Sequence, residues 1–88
     1  MKLKKDYVLR QAAGAWVVLP LREEAVNFSG MIKLNDSGVM LWRALEQGCD
    51  KNALVEVLTK EYNVSSRQAE ADVDEFLAIL MQYGCMSE

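Results

Sequence analysis

The chain has 88 residues, a formal net charge of −3 and about half of its residues apolar, enough for one domain, residues 1–88, around a single small core. No apolar run approaches the roughly 18 residues that a membrane span needs. MKLKKDYVLR is not followed by the apolar stretch of a signal peptide, so a cytoplasmic protein without membrane contact is expected.

Histidine is absent, which removes the usual general base and the commonest metal ligand. There is no glycine-rich phosphate loop, and Cys49 and Cys85 stand too far apart to suggest a metal cluster. The expectation is a chain that is not an enzyme and carries no cofactor. Both cysteines then serve as ordinary small side chains.

In chain order, Lys2 to Lys5 is a basic cluster that reads as a solvated, frayed terminus. Tyr7 to Gln11 and Ala15 to Leu19 are rich in β-branched and aromatic residues, with Ala13-Gly14 as a turn between them. That pattern predicts a hairpin. Pro20 lacks an amide hydrogen and marks the end of the second strand. Leu21 to Ser29 mixes charged and small polar residues and reads as a loop, with Val26 and Phe28 pinning it to the core. The alternative is a short strand over Ala25 to Phe28.

The stretch from Gly30 to Gly48, GMIKLNDSGVMLWRALEQG, runs from strand into helix. Met31, Ile32 and Leu34 suit a third strand, and Asn35 is a good N-cap for a first helix. Asp36 suits the positive end of the helix dipole. Val39, Leu41, Trp42 and Leu45 recur at helical spacing, and Gly48 is placed to end the helix. Asp50 can cap a second helix carrying Leu54, Val57, Leu58 and Tyr62. Ser65-Ser66-Arg67-Gln68 matches a capping box for a third. On that helix Ala69, Val73, Phe76, Leu77, Leu80 and Tyr83 form an apolar stripe, and Gly84 stops it.

Three strands followed by three helices imply an α+β layout, with helices packed on one side of a small antiparallel sheet. Helices beside a hairpin also suggest a winged-helix nucleic-acid binder. The charge argues against it: from Ser65 to Glu88 one basic residue faces five acidic ones, a net −4. A duplex would be repelled where a recognition helix should neutralise phosphates.

Three motifs in order now carry a resemblance. They are LN-x-x-G-x-x-x-W (Leu34, Asn35, Gly38, Trp42), EY-x-V (Glu61, Tyr62, Val64) and A-x-x-DV-x-x-F-L (Ala69, Asp72, Val73, Phe76, Leu77). Together, from about Tyr7 to Cys85, they resemble the PqqD family of peptide recognition elements. The resemblance implies a winged-helix-like fold and a non-catalytic peptide chaperone. Such a protein binds the leader segment of a ribosomally made precursor peptide and presents it to a modifying enzyme, often a radical S-adenosylmethionine protein. It further implies that the leader adds as a strand to the third strand, here Met31, Ile32, Lys33 and Leu34. The third helix, Ser66 to Tyr83, would form the opposite wall. The chain departs from the branch serving pyrroloquinoline quinone synthesis at two places. NFSG stands where that branch has a PEG-like turn, and Glu46-Gln47-Gly48 where it has a D-G pair, which points to another modified-peptide pathway.

Strand addition needs apolar anchors as well as main-chain bonds. On the third helix, Asp74, Leu77, Ala78 and Met81 fall along one flank of the stripe and are the candidates for that wall. Leu77 is equally readable as core, and core packing is the lesser alternative for Met81. Asp74 and Lys33 are equally readable as solvated charges or as partners for a basic and an acidic leader residue. Trp42 reads as core. A last reading is a homodimer formed by self-pairing of the open sheet edge.

Overall fold

The computed structural model describes residues 2–3, 7–21 and 32–86. Three strands, β1 (Tyr7–Ala12), β2 (Ala15–Pro20) and β3 (Ile32–Leu34), precede three helices, α1 (Asp36–Glu46), α2 (Lys51–Glu61) and α3 (Ser66–Gln82). The strands form one antiparallel sheet in the order β1-β2-β3. The α+β order expected from the sequence is therefore the observed one. Met31, most of the Leu21 to Ser29 loop with Val26 and Phe28, and Lys4 and Lys5 lie outside the described residues.

The hairpin turn is two residues long and closes on the pair Ala12 and Ala15. Ala13 has φ +52° and Gly14 φ +80°, the left-handed pair of a type I′ turn, whose twist matches that of the strands it joins. Pro20 marks the end of β2, as expected: it is the last residue of the strand and pairs with Tyr7. It is tolerated because β3 reaches only as far as Val18, so Pro20 sits past the part of β2 that is paired on both sides.

Val18 and Ile32 face each other across β2 and β3 and enter one core with Leu41, Trp42, Leu45, Leu54, Leu58, Val73 and Leu80. Trp42 is fully buried, and its indole N–H donates to Glu46 Oε2 at 3.0 Å, so the ring packs without stranding a donor. Each helix starts on the predicted cap. Asn35 Oδ1 accepts from the Gly38 amide at 2.9 Å, Asp50 Oδ1 from Ala53 at 2.9 Å, and Ser65 Oγ from Gln68 at 3.1 Å. The Gln68 side chain turns forward and donates to Asp72 Oδ1 at 2.9 Å, in place of the backward bond of a full capping box. Tyr62 closes α2 as its exposed C-cap and points its hydroxyl at Met40 Sδ. Gly84 ends α3 with φ +76°: its amide donates to Met81 and that of Cys85 to Leu80, the paired bonds of a Schellman ending.

Leu3 overturns the expectation of a frayed start. It pairs with Met86 in an isolated antiparallel bridge and packs half-buried against the core. The apolar side chain between two lysines finds a strand partner just past the end of α3. Among the described residues, no helix is long and apolar enough to cross a membrane.

Ala13 carries a Cβ in the left-handed region, where asparagine is better tolerated. We expect Ala13→Asn to raise the unfolding free energy by up to ~1 kcal/mol in urea denaturation. An unchanged or lower midpoint would show that the turn stores no such strain.

Candidate functional site

The capped corner at Asn35 aims β3 away from α1 and leaves its outer side without a strand partner among the described residues. Between that edge and α3, which lies against α2, a cleft of about 750 Å³ opens. On the strand side it is bordered by Ile32, Lys33 and Leu34, and at one end by Asn35, Ser37 and Gly38 of the corner. Leu41 and Leu58 form its floor. The helix wall is Asp72, Glu75, Phe76, Ile79 and Tyr83, a spacing of three and four residues that defines one flank of α3. Phe76 is half-buried, Ile79 is 38% exposed and Tyr83 40% exposed.

Gly38 explains the glycine of the LN-x-x-G motif. A Cβ there would stand 3.3 Å from Asn35 Oδ1 and 3.3 Å from Leu34 Cβ, so only hydrogen leaves both undisturbed. Leu34 borders the cleft, Asn35 holds the cap, Gly38 gives them room and Trp42 anchors the helix in the core.

Among the candidate residues, Ile32, Lys33 and Leu34 border the cleft. Ile32 and Leu34 share the core-facing side of β3. Lys33 pairs with Val17, so its exposed side chain rises from the other face. Met31 lies outside the described residues. The four candidates on α3 do not line the cleft. Leu77 is buried in the core. Asp74 lies on the α2 side, where its Oδ1 is 2.6 Å from Lys51 Nζ, with Glu70 also 3.9 Å away from that amine. Ala78 and Met81 are exposed, and neither borders the cleft. The physical reason is rotational. The core stripe has two flanks: the one through Phe76 and Ile79 borders the cleft, whereas Asp74, Ala78 and Met81 belong to the other and Leu77 lies in the stripe itself. Ile79 is a cleft residue that the sequence reading does not single out. Its spacing from Phe76 and Tyr83 is the signal that marks it.

Burial pushes the Cys49 thiol above its ordinary range, and neighbouring Asp50 adds to the shift. A thiol held in its protonated form is a poor nucleophile, in keeping with a packing role. No group of three His, Cys, Asp or Glu among the described residues is placed to hold a metal ion.

Comparison with known proteins defines first a fold and then a family. The fold is shared with two solved structures of small peptide-associated proteins. One is TbiB1 in complex with the TbiA(beta) leader peptide, with a TM-score of 0.79, 24% identity and coverage of 99% of this chain and 95% of the other. The second is lasso peptide synthetase B1 complexed with the leader peptide, with a TM-score of 0.75, 24% identity and coverage of 96% and 93%. The family model described as coenzyme PQQ synthesis protein D (PqqD) matches residues 15–85, and the chain belongs to that family. No curated protein matches the chain in sequence.

The hydrogen bond to Asp74 raises the Lys51 pKa above its ordinary value of 10.5. A folded-state pKa above the unfolded one gives stability that is fully present below about 10.5 and lost as pH rises through the folded value. Wild type should therefore exceed Lys51→Met in urea midpoint at neutral pH and low salt, and the difference should close in strongly alkaline buffer. A gap that stays constant through that range would mean that the lysine acts through its stem alone.

Proposed function

We propose that this chain is a non-catalytic binding partner that takes up the leader segment of a ribosomally made precursor peptide. The peptide lies as an added strand along Ile32, Lys33 and Leu34, and the complex is presented to a modifying enzyme. One observation carries this reading: a strand edge without a partner among the described residues faces the Phe76 and Ile79 flank of α3 across a cleft. Membership of the PqqD family supports it, as does the fold shared with two proteins whose structures hold leader peptides. A radical S-adenosylmethionine enzyme is the modifying partner that the family resemblance suggests. The edge is also able to pair with a second copy, which would compete with the peptide.

The energetics call for both halves of the cleft. Main-chain bonds contribute on the order of 0.5–1.5 kcal/mol each. A three-residue strand offers only a few of them, while ordering a flexible peptide costs roughly 2–5 kcal/mol. Burying one Leu- or Phe-sized side chain against Phe76 and Ile79 adds roughly 1.5–3 kcal/mol and turns the balance. A nucleic-acid role is disfavoured because α3 presents Glu70, Asp72, Asp74 and Glu75 against Arg67 alone.

The test separates the two flanks of α3. With the leader peptide of a precursor encoded beside this chain, amide shifts should cluster at Ile32 to Leu34 and at Phe76, Ile79 and Tyr83. Ile79→Asp should weaken binding about tenfold to a hundredfold, the loss of one apolar anchor, and Met81→Asp should leave it unchanged. Shifts confined to Asp74, Ala78 and Met81, with binding intact in Ile79→Asp, would refute the cleft as the site.

A further inference from the structure

The cleft is not symmetric along its length. The Tyr7 hydroxyl donates to the Tyr83 carbonyl at 3.3 Å. Tyr7 pairs with Pro20, two residues past Val18, and Val18 faces Ile32. Tyr83 and Ile79 therefore stand at the Ile32 end of β3. Asp72, about three turns earlier on α3, stands at the Leu34 end with Glu75. One end of the cleft is apolar and the other carries two carboxylates.

These carboxylates differ from the other two on α3. Glu70 and Asp74 share the Lys51 ammonium. Asp72 takes only the neutral amide of Gln68, and no cation among the described residues pairs with Asp72 or Glu75. Lys33 is the one cation among the described residues bordering the cleft, and strand alternation puts its side chain on the opposite face of the sheet. A peptide strand beside β3 thus meets negative charge at one end of its inner side. Along its outer side it passes a positive charge.

We propose that the cleft selects a peptide segment with apolar residues on its inner face and a lysine or arginine at the Leu34 end. Asp72 and Glu75 then act as specificity-determining residues that set the register of the peptide. This rests on the reading of the cleft as a peptide site and adds the charge pattern of the ligand. From Asp72 to Tyr83 the helix wall runs about 16 Å, room for about five extended residues. The basic residue and the apolar anchors therefore fall within one short segment at a fixed offset. Slipping that segment by two residues would keep the apolar face inward while pulling the cation off the carboxylates, so the charge distinguishes registers that apolar contact alone does not.

The test is selection of phage-displayed random dodecapeptides against wild type, against Asp72→Asn/Glu75→Gln and against Ile79→Asp, each variant checked for its fold by circular dichroism. Wild-type binders should share an apolar pattern with Lys or Arg at one fixed offset. The double variant should keep the pattern and lose the basic preference. In the best wild-type binder, exchanging the basic residue for Glu should weaken binding about threefold to tenfold at low salt, and less at high salt. Asp72→Lys/Glu75→Lys should reverse that preference. An apolar pattern with no basic enrichment would overturn this inference and leave the peptide-binding reading standing. Identical pools from wild type and Ile79→Asp would remove both.

Discussion

The bond from the Gly38 amide to Asn35 Oδ1 is the contact on which the rest of the arrangement hangs. It satisfies an otherwise orphaned donor at the start of α1 and fixes where the strand stops and the helix begins. The Ser37 hydroxyl donates to the same oxygen at 3.0 Å and stiffens the corner. Because the chain turns there, Trp42 and Leu45 drop into the core, while Ile32 and Leu34 run along a sheet edge that no other described strand covers. The same corner forms one end of the cleft. A single short motif thus encodes both the foundation of the helical layer and the boundary of the site.

Much of this was legible because it is local. Asn35, Asp50 and Ser65 announce helix starts through short side-chain oxygens, and Gly84 announces an end through its freedom at positive φ. The hairpin was readable from two β-prone runs and a Gly-containing turn. On the sheet side the cleft was readable too, through the family resemblance. On the helix side it was not. Both flanks of the α3 stripe carry apolar residues at suitable spacing, Phe76, Ile79 and Tyr83 on one and Ala78 and Met81 on the other. Periodicity locates the stripe but not which neighbour lies to its left or right, since that depends on how α2 and the sheet pack around it. Lys51 was the missing clue: once it claims Glu70 and Asp74, their flank must belong to α2.

The carboxylates of α3 divide between the α2 side and the cleft side of the helix. Those turned to α2 are neutralised within the fold. Those turned to the cleft have no cationic partner among the described residues. Composition alone gives the sum, which excludes a phosphate-binding helix. Only packing gives the partition, and the proposed selectivity rests on it.

The bridge between Leu3 and Met86 has a consequence of another kind. It holds Leu3 and Met86 side by side, within about 5 Å as antiparallel bridges do. A unit with adjoining ends can be spliced into a surface loop of a larger protein without prising that loop apart. The cleft would travel with it unchanged, because neither Leu3 nor Met86 borders it. A fold built this way is portable: evolution or an engineer can carry the whole device to a new host through one small doorway.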